Sequence, residues 1–311
     1  MKKTIYILGY LIVFLSIAFL FRKISIHGLS IIKYPNKIKL LSISFLAGLC
    51  YTFIYFMPLT SWHYLLKFTA PDVCFSTTYF IYSRSQIAKY IPGNVFHYAG
   101  RQTIGYMVGI KQSSILMATV IETILITIVA LGISISGILV LGFNRENLNF
   151  LIGAEIILIF GLLFLLFFLP KISIQFSFLR KTLGTFATFN IKQWCKVISL
   201  PLLFYTISFI LIGILLWAVT ILCFKIEISK RMFLAFTTVF ATAWVLGFVT
   251  PGSPGGIGIR EAILAAGLSP FIGASTAISI AIIARIITIL GDVFFFLSSY
   301  MIPKLLKNSI S

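Results

Sequence analysis

Long, unbroken apolar runs dominate this 311-residue chain. They fall at roughly 4–21, 40–57, 73–91, 112–141, 150–169, 199–223, 232–250 and 271–300. Several reach the ~20 residues that carry a helix across ~30 Å of hydrocarbon. In hydrocarbon every backbone polar group must be satisfied within the protein, which leaves helices or a closed barrel. Barrel strands alternate apolar and polar positions, and these runs do not. The pattern therefore predicts an all-α integral membrane protein of about eight apolar helical segments.

The pattern also repeats. Sliding the chain by 159 positions lays 40–57 on 199–216, 73–91 on 232–250 and 112–141 on 271–300. The same shift superposes two breaks, Pro92-Gly93 with Arg101 and Pro251-Gly252 with Arg260. The expectation is a single transmembrane domain, 1–311, with repeats at 38–141 and 197–300. Residues 1–37 add an N-terminal helix and 150–169 a connecting one. Doubled apolar halves, each interrupted by Pro and Gly, are a transporter signature and place broken or re-entrant segments around a central cavity. If every segment crosses, the repeats run parallel. If 73–91 and 232–250 dip in and return, the repeats are inverted.

Composition sharpens the membrane reading. Charged residues make up 10% of the chain and hydrophobic residues 59%, with a mean hydropathy of +1.07. A soluble domain carries about 25% charged residues, so lipid must be the solvent here. The formal net charge of +18 sits at the ends of the apolar runs, where anionic headgroups and topology account for it. Nothing resembles a basic face for nucleic acid. The most basic connections are 22–39 and 170–198. The positive-inside rule puts both in the cytoplasm and both termini outside, although Lys2, Lys3, Lys304 and Lys307 fit that placement poorly. Residues 4–21 are long for a signal-peptide core and lack a small-x-small cleavage site, so they are read as a retained helix. Cys50, Cys74, Cys195 and Cys223 form no C-x-x-C, and His27, His63 and His97 have no metal-ligand spacing. Neither a metal nor another cofactor is expected.

The breaks carry the candidate chemistry. The first reads Lys89-Tyr90-Ile91-Pro92-Gly93-Asn94-Val95-Phe96-His97-Tyr98-Ala99-Gly100-Arg101. Proline ends a helix and glycine opens backbone angles closed to other residues. Unwound backbone at membrane depth survives only against protein or a wet cavity. The reading is a loop lining substrate, with Arg101, Asn94 and His97 facing it and Pro92, Gly93 and Gly100 as the structural break. An interfacial loop whose arginine meets lipid phosphate is the alternative. The second break holds Pro251, Gly252, Ser253, Pro254, Gly255, Gly256, Gly258, Arg260 and Glu261. Serial amides in such a loop can form an anion-binding nest, with Ser253 and Arg260 as binding groups. The run from Ala262 to Leu268 is read as a short helix, its positive end toward the loop.

Charges inside apolar runs cost a few kcal/mol each at the bilayer centre, so they imply a purpose. Glu122 and Arg285 lie within 112–141 and 271–300, and the repeat offset puts them one helical turn apart on equivalent helices. Either they face a shared cavity, where Arg285 binds a phosphate, or they form a static buried pair. Asp292 follows Arg285 by seven residues on the same face and is a partner for Arg285 or Arg260, or a proton carrier. Glu261 orients Arg260 or favours the start of the short helix. No G-x-S-x-G elbow or metal-ligand run suggests catalysis, and the chain is not read as an enzyme.

The pair of break motifs resembles the lysylphosphatidylglycerol synthase transmembrane-region family. Pro92, Gly93, Tyr98, Gly100 and Arg101 carry the first motif, and Pro251, Gly252, Gly255, Gly256, Gly258, Arg260 and Glu261 the second. Asn94 stands where that family often has glycine, and His97 where it often has serine. Glu122 and Arg285 resemble its buried charges. The resemblance implies a prokaryotic plasma-membrane protein that moves a lipid between leaflets, a stand-alone member without the soluble synthase domain. The expected ligand is a lipid with an anionic headgroup, such as a phospholipid, a polyprenyl-phosphate-linked sugar or a hopanoid precursor. Two other functions stay open. One is a non-transporting scaffold for a separately encoded lipid- or glycan-synthesising enzyme, and the other is a headgroup-modifying enzyme.

Overall fold

A computed structural model describes residues 37–91, 95–141, 153, 156–162, 164, 191–226, 230–250 and 253–301. Among them every regular element is helical: α1 (Lys37–Ile54), α2 (Phe56–Lys67), α3 (Phe75–Gln86), α4 (Phe96–Met107), α5 (Gln112–Leu141), α6 (Ile191–Phe224), α7 (Lys230–Val249), α8 (Ile259–Ile272) and α9 (Ala274–Ser298). Two short 3₁₀ turns, Ile87–Tyr90 and Pro254–Gly256, precede α4 and α8. Five stretches are long and apolar enough to cross a membrane: Lys37–Lys67, Gln112–Leu141, Lys192–Phe224, Met232–Val249 and Ala274–Ser298. This is an all-α architecture with the spans of a multi-pass membrane protein. The expected segment at 4–21, most of 150–169, and Pro92, Gly93, Asn94, Pro251, Gly252, Glu155 and His27 lie outside the described residues.

Several boundaries differ from the sequence reading, each for a local reason. The first segment runs on to Lys67 with a break at Tyr55. Pro58 has no N–H to give the carbonyl four residues back, so the helix bends there without stopping. The stretch carrying Arg101 is helical from Phe96, not an extended loop. Gly100 sits inside α4 rather than at a break, where a Cβ would meet that of Ser85 at 3.2 Å. Its role is close packing of α4 on α3. The segment at 271–300 is divided at Gly273, whose φ of +78° ends α8 and starts α9.

α7 lies at the centre. Thr237, Thr238 and Val239 are successive residues, each turned about 100° from the last. They face Gly213 on α6, Gly137 on α5 and Gly267 on α8. Hydrophobic burial does not drive helices together in lipid, so close approach at small residues supplies the dispersion energy instead. On the other side Gly48 of α1 packs on Leu290, and Gly291 of α9 on Tyr51. Large apolar side chains on the outer faces, such as Ile38, Leu41, Phe45 and Phe53, are exposed, as a lipid-facing surface requires.

Helix direction revises the topology expected from charge. Tyr64 Oη donates to the Lys196 carbonyl at 2.9 Å, while Lys39 lies within electrostatic reach of Cys223. The start of one stretch meets the end of the other, so α1–α2 and α6 run antiparallel. A bilayer crossed by both puts Lys37 and Lys39 on one face and Lys192 and Lys196 on the other. Lys37 and Lys39 therefore do not share a membrane face with Lys192 and Lys196, contrary to the charge-based placement. The charge-based placement needed 73–91 to cross fully, and the helix described there, α3, has only 12 residues before a short 3₁₀ turn.

Candidate functional site

The 3₁₀ turn after α3 meets the 3₁₀ turn before α8, and beside this junction lies a cavity of ≈ 120 Å³. A water needs about 10–15 Å³ of such space, so the cavity holds on the order of ten waters. Its walls come from most of the helices, and Lys89, Arg101, Glu122 and Arg260 contribute charge. Arg285, Glu261 and Asp292 stand immediately behind it.

Arg101 is the most enclosed cation, at 2% exposure. Its Nη1 pairs with Glu122 Oε2, and Tyr82 Oη donates to Glu122 Oε1 at 2.9 Å. The guanidinium lies over Tyr82 at 3.9 Å and near Trp62 at 5.2 Å. Such stacking suits arginine, whose planar charge is weakly hydrated. Glu122 thus pairs with Arg101 of its own half, and the expected Glu122–Arg285 pair does not form. Residues 21 apart on consecutive helices meet because α4 folds back against α5, a fold-back hidden by reading the break at 89–101 as a loop.

Asp292 is fully buried. It accepts hydrogen bonds from Tyr55 Oη and Tyr90 Oη, and its carboxylate pairs with Lys89 Nζ at 2.7 Å. Lys89 also donates to Tyr55 Oη at 2.8 Å. The partner of Asp292 is therefore Lys89, not Arg285 or Arg260. Lys89, Tyr55, Tyr82 and Tyr90 are site residues that sequence reasoning missed. A lysine at the end of an apolar run, directly before a break, was the available signal for Lys89.

Arg285 Nη1 donates to the Gly255 carbonyl at 3.1 Å, and Nε lies 3.4 Å from Glu261 Oε1. Glu261 Oε2 accepts the Gly258 N–H at 2.7 Å, capping α8 and fixing Gly258 at a φ of +86°. Gly256 N–H is taken by the Ser253 carbonyl at 3.1 Å. Two amides of the expected nest are thus taken from within, Gly256 by the Ser253 carbonyl and Gly258 by the Glu261 carboxylate. Ser253 is fully buried and spends its hydroxyl on the Ile257 carbonyl at 3.0 Å, so it anchors the loop and does not line the cavity.

Arg260 differs from the other cations. Its chain crosses two residues without side chains: a Cβ on Gly247 would lie 2.7 Å from Arg260 Cγ, and one on Gly256 2.9 Å from Cδ. Glycine at both positions makes the slot. Its head faces the cavity, with Trp244 at 5.9 Å. Among the described residues it has neither an ion pair nor a hydrogen-bond partner, and its Nε is buried and unsatisfied. His97 also lines the cavity, with Nδ1 unpartnered and its ring against Tyr98 at 3.8 Å. Among the described residues no His, Cys, Asp and Glu group has the arrangement of a metal site.

No family model matches this chain, and no curated protein matches it.

Proposed function

We propose that this protein moves an anionic, phosphate-bearing lipid between membrane leaflets, its headgroup crossing through the central cavity while the acyl chains stay in the bilayer. The observation that carries the proposal is Arg260, a cation that faces the cavity and, among the described residues, forms no ion pair. Such a charge is expensive to maintain and marks a ligand pathway. Sealing the headgroup's path with protein and water avoids most of the cost of taking a phosphate through hydrocarbon.

Doubling of the chain supports the same reading. At the 159-residue offset Lys37–Lys67 falls on 196–226, α3 with its 3₁₀ turn on 234–249, α4 on 255–266 and α5 on 271–300. Contacts between the halves come in equivalent pairs: α1 with α9 and α6 with α5, α5 with α7 and α9 with α3. With α1–α2 antiparallel to α6, this is the pattern of an inverted repeat. Two hairpins, α3–α4 and α7–α8, then enter from opposite faces and meet tip to tip. Inverted repeats around a midplane site are the architecture of alternating access.

The test is reconstitution. Liposomes containing the protein and a trace of fluorescent phosphatidylglycerol are treated with dithionite, which bleaches only outer-leaflet label. Movement beyond the half bleached in protein-free liposomes is expected with the wild type and at least about tenfold slower movement with Arg260→Gln, the scale of one lost charge-assisted contact. Equal rates for both proteins would overturn the proposal.

A further inference from the structure

The charges around the cavity can be counted. Four cations, Lys89, Arg101, Arg260 and Arg285, stand against three carboxylates, Glu122, Glu261 and Asp292. Each carboxylate is engaged by one cation: Glu122 by Arg101, Asp292 by Lys89 and Glu261 by Arg285. Burial, with Arg101 and Lys89 nearby, disfavours a charge on His97, so these seven groups leave one positive charge, and the pairing assigns it to Arg260. Asp72, the remaining described carboxylate, lines a separate depression with Lys111 and Cys74.

From this count we infer that the cavity takes a headgroup bearing a single negative charge and no amine: a phosphodiester with an uncharged, polyol-type substituent, bound at Arg260. The inference rests on the function proposed above and narrows its substrate. A phosphodiester carries one negative charge and closes the count to zero. A phosphomonoester carries about −1.5 to −2 at neutral pH, which leaves uncompensated negative charge in a poorly screened site. An amine-bearing head, zwitterionic or aminoacylated, needs a free carboxylate, and all three are already paired. The donor geometry agrees. The guanidinium fork suits two oxygens of one phosphate, Arg260 offers an unsatisfied Nε, and Arg285 holds a second unsatisfied donor, Nη2, beside the same loop.

The experiment is binding in phosphatidylcholine nanodiscs, with retained lipid read by native mass spectrometry. The probes are phosphatidylglycerol, phosphatidic acid, phosphatidylethanolamine and lysyl-phosphatidylglycerol. One phosphatidylglycerol per protein is expected, preferred at least about tenfold over each of the others, and weakened by a similar factor in Arg260→Gln. Equal retention of any other probe by the wild type, or unchanged phosphatidylglycerol binding in Arg260→Gln, would overturn the inference. Glu122→Gln provides a gain-of-function check, because it leaves two uncompensated cations. In folded Glu122→Gln protein the preference should shift toward phosphatidic acid, and an unchanged preference counts against charge balance as the selector. Glycerophosphoglycerol, the same head without chains, separates lipid from soluble ligand. Competition about 100-fold weaker than by the lipid is expected, because the chains add apolar burial. Equal competition would keep the phosphodiester site and overturn the lipid proposal. A lipid that binds with the expected selectivity but does not change leaflet likewise sinks translocation alone.

Discussion

Removing Glu122 tests whether the buried pair is a structural unit. In Glu122→Gln the Arg101 guanidinium, 2% exposed, loses its counterion. Stripping one partner from a buried ion pair costs ~3–5 kcal/mol. Two features reduce the cost here. The amide still accepts the Tyr82 hydroxyl, and Arg101 keeps the faces of Tyr82 at 3.9 Å and Trp62 at 5.2 Å, where a desolvated cation–π contact contributes ~2 kcal/mol. The expected loss is therefore ~2–3 kcal/mol. Arg101→Met is harsher, because it leaves a buried carboxylate with only Tyr82 to satisfy it, and should cost ~3–5 kcal/mol. Combining Glu122→Gln with Arg101→Met removes both charges, leaves the amide to accept the Tyr82 hydroxyl, and should cost no more than ~1 kcal/mol. The double-mutant cycle then has a coupling of at least ~4 kcal/mol, against ~0.6 kcal/mol for an ordinary hydrogen bond between membrane helices. Reversible SDS unfolding in mixed micelles, followed by far-ultraviolet circular dichroism, measures each corner. Additivity within ~0.5 kcal/mol would refute the reasoning.

Two further perturbations address the packing and the loops. Gly137→Leu and Gly213→Leu each drive a side chain into Thr238 or Thr237 of α7, and each should destabilise by at least ~2 kcal/mol in the same unfolding assay, whereas Gly132→Leu, where a Cβ meets nothing within 4 Å, should be near neutral. Cys74 lies outside the five spans and is exposed. Burial is the largest single influence and raises its thiol, but hydrogen bonds with Ser76 and Thr77, both at 3.0 Å, together with backbone hydrogen bonds, outweigh it and hold it below the ordinary thiol range. Thiolate is therefore present at lower pH than in a free thiol. In a variant keeping Cys74 alone, maleimide labelling should reach half its maximal rate below the midpoint for a small-molecule thiol, and Ser76→Ala should move that midpoint upward.

The apolar runs made the spanning helices legible because continuous hydrophobicity signals a span regardless of partners. The repeat offset drew attention to Arg101 and Arg260, and Glu122, Arg285 and Asp292 stood out as charges inside apolar runs. Pairing was not legible, because it depends on where α4 and α8 fold back, and glycine-rich breaks leave that direction open. Thus Glu122 was matched to Arg285 by position on equivalent helices, although the nearer cation was Arg101 on the fold-back itself. Lys89 went unrecognised because a lysine ending an apolar run ordinarily snorkels to the interface. The 3₁₀ turn instead keeps it among Tyr55, Tyr90 and Asp292. Gly247 and Gly256 gave no local sign that they form a slot, since the residue they accommodate, Arg260, comes from another turn of chain.

The placement of the three ion pairs separates what holds each half from what joins the halves. Arg101–Glu122 links α4 to α5, and Arg285–Glu261 links α9 to α8. At the 159-residue offset these are the same two helices in each half, with the charges exchanged. Lys89–Asp292 alone among the described ion pairs runs between halves, from the tip of the first hairpin to α9. On the proposed function, a headgroup phosphate at Arg260 would share the cavity that Lys89 also lines and would compete with Asp292 for the lysine. Asp292→Asn removes one competitor and should free the tip. The expected result is faster amide exchange confined to Ala88–Ile91 and α4, with α5 and α7 unchanged, and a lipid preference shifted toward phosphatidic acid because Lys89 then joins the uncompensated charge. Exchange that rises across both halves together would mean the pair supports the whole fold, and unchanged exchange at the tip would mean it joins nothing; either result ends the argument that this contact is where the halves part.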